Sequence, residues 1–81
     1  MATYKLEVQK EFGRFQHRIV PSGRAADASW SPPVGDRDAL LADLGKSLAE
    51  IDFASGDTVV FRSIAYSNPA ELANTVKFSA F

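Results

Sequence analysis

Tyr4 to Val20 reads as two alternating runs joined at Phe12-Gly13, and no other stretch of the chain restricts the fold as tightly. With that dipeptide as the turn, Glu11 faces Arg14. Leu6 then falls opposite Ile19 and Val8 opposite His17 on one face, with Glu7 opposite Arg18 and Gln9 opposite Gln16 on the other. Apolar residues meet apolar ones and an acid meets a base, as cross-strand pairing favours. A one-residue slip would reverse every assignment, so the register commits each side chain to core or solvent.

Eighty-one residues make one small domain (1–81), near the lower size limit for a self-sufficient core. A hydrophobic content of 46% is enough for a packed globule. The chain has no cysteine, so neither a disulfide nor a thiolate site can hold it together. Stability then rests on one sheet–helix interface, helped where needed by oligomerisation as a homodimer. Nine basic and ten acidic residues leave a net charge of -1, which provides no bulk attraction to nucleic acid or to anionic membranes. The charges are unevenly spread: the hairpin half is mildly basic, and Ser31 to Val60 is acidic. No apolar run is long enough for a signal peptide or a membrane span, so a soluble, cytoplasmic protein with no membrane partner is expected.

Beyond the hairpin, Pro21-Ser22-Gly23 ends the second strand, and Arg24–Gly35 is a longer connection containing Trp30 and Pro32-Pro33. A helix starts at Asp36, an N-cap residue, with Asp38 in the first turn where the helix dipole favours a carboxylate. Leu40, Leu41, Leu44, Leu48 and Ile51 form its apolar stripe, and it should stop near Phe53. Gly45 lowers the propensity of this helix, or allows close packing on the sheet. Thr58–Tyr66 has apolar residues on both faces, as a central strand would. Asn68-Pro69-Ala70-Glu71 has the form of a helix start, yet Thr75–Phe81 alternates again. One helical turn followed by a fourth strand is the reading adopted, and a helix from Pro69 onward is the alternative. The expected fold is therefore α+β: a four-stranded, mainly antiparallel sheet (ββαββ, order 2-1-3-4) with one amphipathic helix on one face.

None of the residue types that carry chemistry falls into a catalytic pattern. His17, the sole histidine, lies on the Leu6/Val8 side, where a neutral core-margin role fits better than a general base or metal ligand. Asp36 and Asp38 are explained by capping, and Asp43 has no cleft to act in. The serines lack a nucleophile-elbow context, and the glycines form no phosphate loop. No enzymatic activity, cofactor or metal is expected.

What is left is surface. A single helix leaves the other sheet face open, and Val60, Ile64 and Tyr66 would form an apolar patch there beside Arg62. Trp30, with Pro32 and Pro33, gives a stiff loop carrying a residue type common at binding hot spots; the alternative is that Trp30 folds back as a lid over the open edge of the helix–sheet core. These seven residues are the expected contacts of a non-catalytic protein-binding module, an assembly subunit or a small inhibitor such as a phage-type defence antagonist or a protease inhibitor. The alternative is a nucleic-acid-binding module using Lys5, Arg18, Arg62 and Lys77 on the open face, although no aromatic run or basic stripe supports it.

Overall fold

The computed structural model describes residues 2–21 and 29–81. The expected turn at Ser22-Gly23, and the connection as far as Ala28, lie outside them. Strands β1 (Thr3–Glu11) and β2 (Arg14–Pro21) form the hairpin in the expected register, from Glu11 opposite Arg14 to Tyr4 opposite Pro21. Phe12 and Gly13 have φ of 52° and 75°, the two positive values that a type I′ turn needs. Side-chain bonds lock the register: Arg18 Nε donates to Glu7 at 3.0 Å, and Gln9 Nε2 donates to Gln16 Oε1 at 2.7 Å.

Helix α1 (Arg37–Leu48) follows as expected from Asp36, whose carboxylate accepts the Ala39 N–H at 2.7 Å. It ends at Leu48 rather than near Phe53. Ala49 and Glu50 form a turn, Phe53–Ser55 forms a 3-10 helix capped by Asp52, and Ile51 is buried outside the helix. Gly45 is exposed, and a Cβ there would meet nothing, so close packing is not its reason.

The second half of the chain departs most from expectation. The run 58–66 is not one strand but a second hairpin, β3 (Thr58–Phe61) and β4 (Ile64–Tyr66), turning at Arg62-Ser63 with φ of 51° and 70°. No glycine, asparagine or proline marks that turn, which is why periodicity ran through it. The expected fourth strand is helix α2 (Pro69–Phe78). Its cap, Asn68, accepts the Ala70 and Glu71 N–H groups, and Leu72 and Val76, one turn apart, are buried. The apparent alternation of Val76, Phe78 and Ala80 came from residues of which only Val76 is buried.

The protein is thus α+β with two helices and a mixed sheet, in the order β2-β1-β3-β4. β3 runs parallel to β1, not antiparallel. The cause lies in the connection. Phe15 and Val34 exchange both backbone bonds, and Ser31 N–H donates to the His17 carbonyl, so this segment runs back antiparallel along the outer edge of β2. That extra pass reverses the direction in which α1 crosses, and β3 then enters beside the start of β1. Asp57 fastens this entry, accepting the Ala2 N–H at 2.8 Å and the Asp52 N–H at 3.1 Å.

Both helices pack on one face. Leu6, Phe15, Leu40, Leu44, Leu48, Ile51, Val59, Phe61, Leu72 and Val76 form one buried cluster. Each fully buried aliphatic side chain contributes roughly 1.5–3 kcal/mol. The opposite face has no helix among the described residues.

Candidate functional site: the projecting hairpin

Alternation along the paired strands puts Lys5, Glu7, Gln9, Gln16, Arg18, Val60 and Ala65 on the helix-free face. Ile64 and Tyr66 are opposite Phe61 and Val59, so they belong to the helix side, and the expected apolar patch does not assemble. Ile64 is exposed there, while Tyr66 is half-buried against the core. The split of 58–66 into two strands is the reason, since the turn reverses the faces assigned to residues beyond it. Trp30 is half-buried on the helix-free side, with the Arg18 guanidinium 4.5 Å from its ring centroid. It neither covers the helix–sheet core nor stands free. Pro32 and Pro33 are exposed in the segment that borders β2, where residues without an N–H blunt the outer edge of the sheet.

The four basic residues of the nucleic-acid alternative are not brought together. Lys5 and Arg18 share the helix-free face, with Arg18 paired to Glu7 and stacked on Trp30. Lys77 is in the last turn of α2. Arg62 is in the β3–β4 turn on the way to the chain's last residues: it donates to the Ala80 carbonyl and lies 5.0 Å from the Phe81 ring centroid. Arg37 approaches the same ring at 5.3 Å and donates to the Lys77 and Ser79 carbonyls at 2.8 and 2.6 Å. Phe81 itself contacts Phe15 edge-on, with 6.2 Å between centroids, and leans on Phe61 at 6.4 Å. The segment after α2 is therefore clamped by two arginines and two aromatic rings.

His17 is 4% exposed and sits at the seam between β2 and α1, where Nε2 lies 3.0 Å from Ser47 Oγ. A serine beside a histidine has the outline of a nucleophile and its base, but Nδ1 is buried with no hydrogen-bond partner. A bare ring nitrogen is cheaper to bury unpaired than an N–H. The network therefore puts the proton on Nε2, donating to Ser47, and no lone pair faces the hydroxyl. Burial lowers the His17 pKa, and the nearby Asp43 carboxylate only partly counters it. A polar cavity of about 440 Å³ lies alongside, lined in part by Ser31, Ser47 and Glu50. Among the described residues no cluster of histidines and carboxylates could hold a metal ion, and no helix is long and apolar enough to cross a membrane.

The residue that the sequence reading passed over is Phe12. Its side chain is 98% exposed at the tip of the hairpin, in a left-handed backbone conformation. Phe78 is also exposed, at 74%, but in ordinary helix. Phe12 combines both penalties. Its φ alone costs a non-glycine residue about 1–2 kcal/mol, and asparagine or glycine would be the usual choice at that position. The only sequence signal was this mismatch, a large aromatic where turn chemistry wants Asn-Gly.

The tip also lies beyond Phe15, the last core residue along the hairpin. β3 accompanies β1 only as far as Lys5, so β1 runs on through six further residues, roughly 20 Å at the usual strand rise. Val8 packs against the core midway along this extension, and Phe15 is buried in the pair next to Glu11–Arg14, which closes the turn. Glu11, Phe12, Arg14, Gln16 and Pro33 line a shallow groove of about 420 Å³ near its end.

No protein-family model, curated protein or solved structure matches this chain.

Proposed function

We propose that this protein is a non-catalytic protein-binding module, an assembly subunit or a small inhibitor, whose contact element is the distal hairpin rather than the open sheet face. The observation that carries this reading is Phe12, fully solvated in a backbone conformation that disfavours it. A residue that breaks a local rule with no compensating contact inside its own molecule marks a functional position. Exposed aromatics at the end of a stiff projection are well suited to enter an apolar pocket on a partner, where they act as anchors. Trp30, Pro32 and Pro33 border the same hairpin and would add a rim. The seven-residue contact set is thus narrowed, with Val60, Arg62, Ile64 and Tyr66 left to the sheet and its turn.

Phe12→Asn tests the reading because its two effects have opposite signs. It should raise the thermal midpoint by relieving the turn, and it should abolish capture of the partner recovered from the native host. Trp30→Ala should weaken capture less. A Phe12→Asn protein that still captures its partner at full strength would sink the proposal.

A further inference from the structure

The hairpin has an unused strand edge, and it lies beside Phe12. Phe15 and His17 direct their backbone groups away from β1, toward Val34 and Ser31. Their partners across the hairpin, Lys10 and Val8, must therefore direct theirs away from β2. On that side β3 pairs with β1 no further than Lys5, and it ends at Phe61. No backbone bond reaches Val8 or Lys10 from that side among the described residues. Among the described residues no strand continues the row of β3 along the rest of β1, so four backbone groups, the N–H and C=O of Val8 and Lys10, are aligned to receive another strand.

Resting on the reading of the hairpin as contact element, we propose that the partner contributes an extended segment that adds to the Val8–Lys10 edge of β1, continuing the row of β3. This is β-strand addition, in which main-chain bonds give affinity and alternate side chains give specificity. Lys10 is exposed, and its ammonium lies 5.5 Å from the Phe15 ring centroid, on the β2 side and away from this edge. Space and charge argue against a second copy of this chain as the occupant. Pairing about Val8 would carry the copy's Lys10 onto Leu6, beside which β3 still runs to Phe61. Antiparallel self-pairing about Gln9 would set Glu7 against Glu11, and self-pairing about Lys10 would set Lys10 against itself. A segment alternating apolar and basic side chains fits instead, with apolar groups beside Val8 and basic ones beside Glu11.

Lys10→Pro separates this idea from its competitors. It deletes the one outward N–H at that position without removing a bond to β2, as edge positions tolerate. Lys10→Gln removes the charge and keeps the N–H. The probe is a displayed library of random dodecapeptides selected on the wild-type protein. The expected result is that selected peptides alternate in polarity and bind Lys10→Pro at least tenfold more weakly, with less than a threefold change for Lys10→Gln. Amide exchange at Val8 and Lys10 should slow when peptide is bound to the wild type, and this readout decides the matter if Lys10→Pro unfolds the hairpin. Unchanged exchange at both amides, or equal binding to Lys10→Pro, would overturn strand addition. So would a selection that yields no binder. Peptides that lose affinity for Phe12→Asn but not for Lys10→Pro would keep the contact role of the hairpin tip and remove only the edge.

Discussion

Among the described residues two tight hairpin turns have the same backbone type, and they treat their first strained residue differently. Arg62 has a φ of 51° and Phe12 a φ of 52°, so the local cost is nearly the same. Arg62 offsets it inside the molecule: its guanidinium lies over Phe61 and Phe81 and donates to the Ala80 carbonyl. Phe12 makes no such contact. A strained residue with a tertiary partner is part of the architecture. Ser63, at φ 70°, is strained too, but it is small and polar and water suits it. A large aromatic held strained in water points outside the chain, and that singles out the tip of the first hairpin.

The largest effect that would sharpen the contrast is expected from Phe81→Ala. The ring is half-buried between Phe15, Phe61 and two guanidinium groups. Its removal should cost about 2–3 kcal/mol in denaturant unfolding, below the range for a fully buried ring. In that background Arg62→Asn should cost less than in the wild type, because the turn relief remains and the contact with the Phe81 ring is gone, while those with Phe61 and the Ala80 carbonyl persist. Additive effects in the double-mutant cycle would show that Arg62 and Phe81 are independent, and the comparison would lose its reference.

Phe12→Asn should stabilise by about 1 kcal/mol, given the cost of a left-handed non-glycine residue. A loss of stability would mean that Phe12 has an internal partner after all. Gly45→Ala serves as a control at about 0.5–1 kcal/mol of stabilisation. Gly45 is also locally unfavourable, exposed and without a packing reason, but it is remote from the hairpin tip in sequence and lies on α1. Its replacement should raise the midpoint and leave binding untouched. If Gly45→Ala and Phe12→Asn impaired binding equally, stability and not contact would be the common cause.

Acid should weaken the β2–α1 seam that supports the hairpin from below. The His17 pKa is lowered by burial, so the folded state favours the neutral ring. The stability this neutral form provides is complete above the unfolded value of about 6.5. It falls as pH drops below that value and through the folded one, because the unfolded chain then binds more protons. The thermal midpoint should therefore be lower at pH 5 than at pH 7.5, and His17→Gln should flatten that part of the profile. An unchanged slope in His17→Gln would assign the acid sensitivity to the carboxylates.

How much was legible beforehand differs between the two halves of the chain. The first hairpin is legible in register because Leu6/Ile19, Glu7/Arg18, Gln9/Gln16 and Glu11/Arg14 match in polarity or charge and Gly13 marks the turn. Helix α1 was found from Asp36 and its leucines. The second hairpin is not legible because Arg62-Ser63 contains no glycine, asparagine, aspartate or proline, and the serine alone is a weak turn signal, so Thr58–Tyr66 reads as one strand. Helix α2 was displaced by a short alternation, although its cap at Asn68 was visible. The candidate site was hidden for a similar reason: Phe12 looked like half of a turn, and nothing local could reveal that no other residue would cover it.

Local chemistry alone, then, determined the register of β1 and β2, the start of α1 and the absence of any thiol site. Those features depend on neighbours within a few residues or on pairs brought together by one turn. Only the tertiary structure decided that β3 runs parallel to β1, that it stops at Phe61, and that Phe81 fills the space between two arginines. Those outcomes depend on how many times the chain crosses before it returns to the sheet, and here the pass of residues 31–34 along β2 sets that number. The free edge at Val8–Lys10 and the solitary Phe12 are what that topology leaves over.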